Sequence, residues 1–392
     1  MLKFRGFLVE QAAEEDKLKH LEHVEDHVLH GGAEGFAHAF HTLNDVHGHL
    51  TGQKNDTKIT TKYDGSPAVI YGTDPKTGKF FVGSKSVFNK NPKINYTPAD
   101  IEKNHGHAPG LVQKLKAALE HLPKIHDGKG IYQADIMHSG DVKDRGHRAE
   151  YTPNTITYHH PKGSDDYKKA LKAKFGVAIH TKYTGNSLDQ MVAQHGADIT
   201  HNEHEDVHVM PVHHDISKAH YPLEAQQEYQ KHVKAAMEHY KKMPKEGHEA
   251  VMGHSKHLKT YINNTVRTGE DPSHKGFHAH HKLKHDKGIA KVKLEKAVQS
   301  RTQKRDAALN KIKADKGHIE TALKMHHHLQ KAKDILTDAL SSHSSVGHEI
   351  GGMPTKPEGF VVHKGGRPSK FVDRKEFSAA NFARGDALKG NK

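Results

Sequence analysis

The chain contains no cysteine and no tryptophan. Without thiols it has no disulfides, no thiolate metal ligands and no cysteine nucleophile, so covalent chemistry would have to come from another side chain. Aromatic residues make up 6% and apolar types 34% of its 392 residues, enough for a core in some segments but not in all. No apolar run approaches the roughly 20 residues that cross a bilayer, so membrane spans are excluded and a soluble chain is expected. Acid is also in deficit, with 47 Asp and Glu against 60 Lys and Arg, a formal charge of +13. Such an excess favours polyanions, because each neutralised phosphate releases counterions, and nucleic acid is the first candidate partner. What the chain has in abundance is histidine, at 41 residues. With ordinary pKa values near about 6.5, these add positive charge quickly below neutrality.

Apolar residues at Leu18, Leu21, Val24 and Val28, then at Phe36, Phe40, Leu43, Val46 and Leu50, predict two amphipathic helices joined by a glycine turn. From Ile59 the period becomes that of strands. Runs at 59–65, 67–72 and 79–86 predict three strands, with a hairpin loop at 73–79. A helix over Leu111 to Leu122 follows, then strands at 130–137, 154–160 and 176–183, and later at 358–366 and 367–373. This pattern predicts an α+β fold with an antiparallel sheet. Beyond about His220, Tyr229, Val233, Met237 and Tyr240 share a helical face, as do Ile319, Leu323, Leu336 and Leu340. Between them, the lysine- and histidine-loaded segment 274–288 is not expected to have a packed core. Residues 220–345 therefore read as a basic helical insertion that divides one domain into 14–218 and 346–380, with a tail at 381–392.

Lys62 stands at the end of a predicted strand, just before Asp64 and Gly65. A lysine amine, with a reference pKa of about 10.4, is a nucleophile only where its surroundings favour the neutral form. Lys85, Lys370 and a bound divalent metal are the cations expected to do this if the sheets bring them together. Alone, Lys62 reads better as an ordinary strand lysine at a turn than as a nucleophile. Lys62-Tyr63-Asp64-Gly65 resembles the K-x-D-G element of the covalent nucleotidyltransferases, the superfamily of ATP-dependent DNA ligases, RNA ligases and mRNA capping enzymes. Further elements follow in that family's order. "FFVGSKS" resembles the element whose basic residue, here Lys85, touches the nucleotide phosphate or ribose. "GIYQADIM" resembles the strand with an acidic ribose ligand, here Asp135, and "GVAIHTKY" the strand lining the base pocket. "EGFVVHK" resembles the strand in which Glu358 would hold the metal and position the lysine. "RPSKFVD" resembles the last element, with Lys370 on the α-phosphate.

The stretch around Lys62 is also similar to a group of phage proteins described as nucleotidyltransferase- or ligase-like. The resemblance implies an antiparallel-sheet, ligase-adenylation type of fold in which Lys62 forms lysyl-AMP. ATP is the substrate implied, with GTP as the other candidate, and Mg2+ as the metal on Glu358. Asp64, Gly65, Lys85, Asp135, Glu358 and Lys370 would contact the nucleotide, and the acceptor would be a 5′-phosphate end of RNA or DNA. Some positions depart from the family's pattern. Pro67 stands where DNA ligases carry arginine, and Val372 replaces the second lysine of the last element, with Arg374 or Lys375 as substitutes. Too few residues follow Lys370 for the OB-fold of DNA ligases and capping enzymes.

The histidines of 201–215 have the ligand types for zinc or nickel but no helical i, i+4 register, and composition alone produces such clusters. His326 to His328 read as a solvated helix face. Residues 1–10, ending in Leu8-Val9-Glu10, resemble the targeting peptide of proteins packed in T-even-like phage heads, which the prohead protease removes after a Leu-x-Glu site. That resemblance implies a place in the capsid interior, then in the host cytoplasm after injection. Two other classes stay open: a nucleotidyltransferase that modifies a host protein, and a non-enzymatic internal head protein that binds DNA through charge alone.

Overall fold

The computed structural model describes residues 21–374. The predicted targeting peptide with its Leu8-Val9-Glu10 site, the start of the domain read from residue 14, Lys375 and the tail 381–392 lie outside the described residues. The chain is mixed α+β with largely antiparallel sheets. Among the described residues it divides into two compact units, one built from 56–218 and 343–369, the other from 22–55, 219–342 and 370–374.

The first unit centres on a sheet ordered Val207–Val209, Phe175–Thr184, Ile131–His138, Ala68–Thr73, Phe80–Gly83, with Val192–His195 also paired to Phe175–Thr184. All of these pairings are antiparallel except that of Val207–Val209 with Phe175–Thr184. Alternation decides its two faces. Val69, Tyr71, Tyr132, Ala134, Ile136, Val177 and Ile179 pack with Ile101, Val112, Leu115 and Ala118 from the helices Pro98–His105 and Pro109–His121. Ile70, Ile131, Phe81 and Tyr183 lie on the other face with Phe88, Leu188 and Met191. The helix Pro98–His105 starts where Thr97 and Asp100 cap each other's backbone N–H groups, an arrangement worth about 1 kcal/mol.

A smaller sheet orders Lys58–Lys62, Gly359–Lys364 and Arg367–Val372, so the late strands read from the sequence return to the first one. The boundary between the units falls inside Arg367–Val372, after Ser369. A third sheet joins Met353–Pro354, Gly347–Ile350, Thr157–Pro161, Arg148–Tyr151 and Lys143–Asp144.

The second unit is helical. The long helix Lys316–Ser341 buries Ile319, Leu323, Leu329, Leu336 and Leu340, the face its periodicity predicts, and packs on Leu223–Lys242. The N-terminal helical residues 22–55, which the sequence places at the start of the sheet domain, group here instead. Phe36 stacks on Tyr240 with ring centroids 4.2 Å apart, and His47 stacks on Tyr229 at 4.5 Å. The segment expected to lack a packed core forms the helix His274–Ile289. One face suffices: Phe277 and His281 are buried, Phe277 lies 5.7 Å from the Tyr261 ring, and Lys282 and Lys284 stay exposed. His326, read as solvated, is also buried, and its Nε2 lies 2.9 Å from Asp26 Oδ1. Among the described residues no helix is long and apolar enough to cross a membrane.

Candidate active site

Lys62 ends its strand opposite Gly359 in the antiparallel register, which sets its side chain beside Glu358, the residue preceding the partner strand. Lys62 Nζ donates to Glu358 Oε1 at 2.5 Å across 296 residues of sequence. The lysine side chain is 27% exposed and the glutamate 9%. Burial by itself would drive the amine toward its neutral form. Glu358, then Asp135 and Asp64, outweigh burial and hold the Lys62 pKa above its ordinary value. Burial pushes the Glu358 carboxyl up; Lys62 opposes that shift, and Asp64 and Asp135 add to it. Among the protein's own side chains, carboxylates rather than lysines dominate around Lys62 and favour its ammonium form. The second Glu358 oxygen, Oε2, is buried without a hydrogen-bond partner.

Gly65 explains how the lysine loop reaches the central sheet. A Cβ there would fall 2.6 Å from the Asp135 Cβ and 3.0 Å from Met137 Sδ, so only glycine lets the loop lie directly on Ile131–His138. Asp135 projects from the face opposite the helices, since its neighbours Ala134 and Ile136 point into the helix-side core. Its register partners are Ala68 and Ala178, two small side chains that leave room round the carboxylate on that face. Lys85 does not continue the strand Phe80–Gly83 as the sequence suggested. It opens a short 3-10 turn, Lys85–Phe88, capped by Ser84, where burial pushes its amine down and Asp135 resists that shift.

Asp64 has a different task from the one expected. Its carboxylate accepts from Asn154 Nδ2 at 2.8 Å, from the Thr155 N–H at 2.7 Å and from the Ile156 N–H at 3.0 Å. Its own N–H donates to Tyr158 Oη at 2.6 Å. Its oxygens are therefore engaged in fastening the lysine loop to residues 154–156 and are not presented to a ligand. Lys114 adds a further tie by donating to the Ser66 carbonyl. These partners were invisible in the sequence, because nothing in their spacing relates them to Lys62. His180 was missed too, although its Nε2 lies 3.6 Å from Asp135 Oδ2. Its signal was present: alternation breaks in "GVAIHTKY", and the register skips His180 between Ile179 and Thr181.

Lys370 lies in the strand Arg367–Val372, and its N–H donates to the Glu22 carbonyl at 2.7 Å. Arg374, a candidate for the missing second lysine, is buried against Asp26 and Glu25. The 201–215 histidines do not converge: His208 faces Asp166 at 3.5 Å and His213 faces Asp198 at 3.6 Å.

The sheet unit thus places an ammonium, a buried glutamate, a partly buried aspartate and a half-buried second lysine around one loop. A divalent cation fits this donor set through Glu358, because the orphaned oxygen and the surplus of carboxylates over Lys62 both favour added positive charge. No curated protein and no solved structure matches the chain. A family model does match, over residues 17–385, a span that runs through both units and includes Lys62, Asp64, Gly65, Lys85, Asp135, Glu358 and Lys370. The chain belongs to that family, described as a family of unknown function (DUF6267).

Proposed function

We propose that the sheet unit binds a nucleoside triphosphate and that Lys62 is nucleotidylated, as in the covalent nucleotidyltransferases its sequence elements resemble. The observation that carries this reading is the Lys62–Glu358 pair at 2.5 Å, two motif residues far apart in sequence brought together beside Asp135. In the first step Lys62 Nζ forms a bond to the α-phosphorus, the bond from that phosphorus to the bridging oxygen breaks, and pyrophosphate leaves. The lysine proton passes to Glu358 Oε1, a carboxylate whose raised pKa suits it to accept. Lys85 offers positive charge to the phosphates, and Asp135 offers an acceptor for ribose hydroxyls. A magnesium ion held by Glu358 would neutralise the carboxylates that keep Lys62 protonated. ATP is the substrate favoured by the resemblance, with GTP as its competitor.

In the second step the nucleotide passes to a 5′-phosphate end of RNA or DNA, an acceptor consistent with the +13 charge. This would make the protein ligase-like, and the resemblance of residues 1–10 to a head-targeting peptide supports the reading that it travels in a phage virion and then acts in the host. One observation favours a second reading, a DNA-binding internal head protein without chemistry: the acids around Lys62 hold it as the charged, non-nucleophilic form. Incubation with α-labelled ATP or GTP and magnesium separates the two. The enzyme reading requires an acid-stable labelled protein that Lys62→Ala abolishes. Wild-type protein that takes up no label from either nucleotide refutes it. Adding 5′-phosphorylated strands then identifies the acceptor, since label that moves to another protein and not to nucleic acid would mark a protein-modifying enzyme.

A further inference from the structure

We infer that Glu22, His27 and His30, in the helical unit, form a binding site for one divalent transition metal ion of the zinc type. One donor atom from each of these residues lies within 4.8 Å of both others. His30 Nε2 and Glu22 Oε2 are 2.8 Å apart. Donors on a tetrahedral zinc ion are separated by about 3.3 Å, given metal–ligand bonds of about 2.0–2.1 Å, so small side-chain rotations seat the ion without backbone movement.

The local fold explains the convergence. His27 and His30 are one turn apart on the short helix His27–His30, and the 3-10 turn Val24–Asp26 folds Glu22 back toward them. Two neighbours fix the ligands. Lys259 donates to the other Glu22 oxygen, Oε1, which orients the carboxylate and leaves Oε2 toward the histidines. The His38 ring meets His27 edge to face, with centroids 4.6 Å apart. Behind them the helix Gly32–Leu50 presses on the His27 backbone so closely that a Cβ on Gly35 would sit 2.0 Å from the His27 carbonyl oxygen. The His27 backbone therefore has little freedom to drift.

The donor set selects the metal class. Two imidazoles and one carboxylate suit zinc and its neighbours, whereas magnesium and calcium prefer all-oxygen shells. His30 is 38% exposed in its side chain, so the ion enters from solvent and keeps a fourth position for water. Another cluster of the helical unit, Glu25, Asp26 and His326, is a poor competitor despite its close packing, because Lys333 and Arg374 already neutralise its carboxylates. His281 and His285, with their Nε2 atoms 3.2 Å apart, supply only two ligands and serve as the control for background binding by a histidine-rich chain.

The test uses the full untagged chain, loaded with Zn2+ and dialysed against metal-free buffer before the zinc is counted by mass spectrometry. Wild type and His281→Ala/His285→Ala should each retain about one equivalent more than His30→Ala or Glu22→Gln. Equal retention by wild type and His30→Ala overturns the site. A second measurement needs no variant. One equivalent of Zn2+ should protect His30 from acylation by diethyl pyrocarbonate in the wild-type chain, and His30 reacting equally fast with and without zinc overturns the site as well.

Discussion

Lys62 and Glu358 form a 2.5 Å ion pair although 296 residues separate them. The register of one strand pair, Lys62 opposite Gly359, is enough to produce it. Its electrostatics run against nucleophilic attack, because Glu358, Asp135 and Asp64 together outweigh burial and keep the amine charged. Chemistry at Lys62 therefore requires its proton to leave, and the same glutamate is the acceptor in place.

Glu358→Gln tests this directly. The change removes the acceptor, and it also removes the charge that does most to oppose the effect of burial on Lys62, so the lysine pKa should fall in the variant. Adduct formation from labelled ATP should drop by about 10²-fold or more near neutrality and recover in part as the pH is raised, when the amine loses its proton to solvent. A neutral-pH rate equal to wild type would remove Glu358 from the reaction. A loss that only extra magnesium repairs would assign it to metal binding alone.

Asp64→Ala should act on stability before it acts on chemistry. Three donors, Asn154 Nδ2 and the Thr155 and Ile156 N–H groups, lose a charged acceptor. Bonds of this kind to a buried carboxylate suggest a loss of about 3 kcal/mol, readable as a lower urea midpoint without nucleotide. An unchanged midpoint with weakened nucleotide binding would restore Asp64 to the ligand-contacting role expected from the sequence.

The strands that carry Lys62 and Asp135, and those that adjoin Lys85 and Glu358, were legible because β-branched and aromatic runs have a period of two that needs no tertiary information. The register that joins Lys62 to Glu358 was not, since the residues between them encode two other sheets and most of a helical unit. Asp64 misled for the opposite reason: its motif position suggested a ligand, while its actual partners at 154–156 are mostly backbone groups that leave no mark in composition. The segment 274–288 misled because Lys and His dominated its average, although the burial of Phe277 and His281 on one face is enough to seat it as a helix.

Acid should destabilise the sheet unit through buried neutral histidines. Burial, with charge from His208 and His160, pushes His138 down to about 3. Burial, with charge from neighbouring histidines and Lys58, lowers His363 to about 3. Burial and the neighbouring histidines lower His348 to about 4. In the unfolded chain each of these returns to about 6.5. Between about pH 6.5 and 3 the unfolded chain therefore binds more protons than the folded one, and stability falls as the pH falls through that window. Urea midpoints should be level above about pH 7 and decline from 6.5 to 4, and His138→Phe should shallow the decline. A midpoint independent of pH over that interval would contradict these assignments.

In the helical unit the sharpest stability test is Lys333, whose side chain is fully buried. Its Nζ donates to Glu25 Oε1 at 3.0 Å and to the Val372 carbonyl at 2.8 Å. Lys333→Met leaves a buried carboxylate and a buried carbonyl without their donor. Arg374 Nε, 3.6 Å from Glu25 Oε1, is too distant to replace it fully. Breaking one side of a buried pair costs about 3–5 kcal/mol, whereas exchanging both partners for apolar groups of similar volume is often neutral. Lys333→Met should therefore lower the melting temperature sharply, and adding Glu25→Leu should return part of the loss. If the double variant is less stable than the sum of the two single losses predicts, the pair is not the unit that holds this core, and the Val372 carbonyl or Arg374 carries more of it.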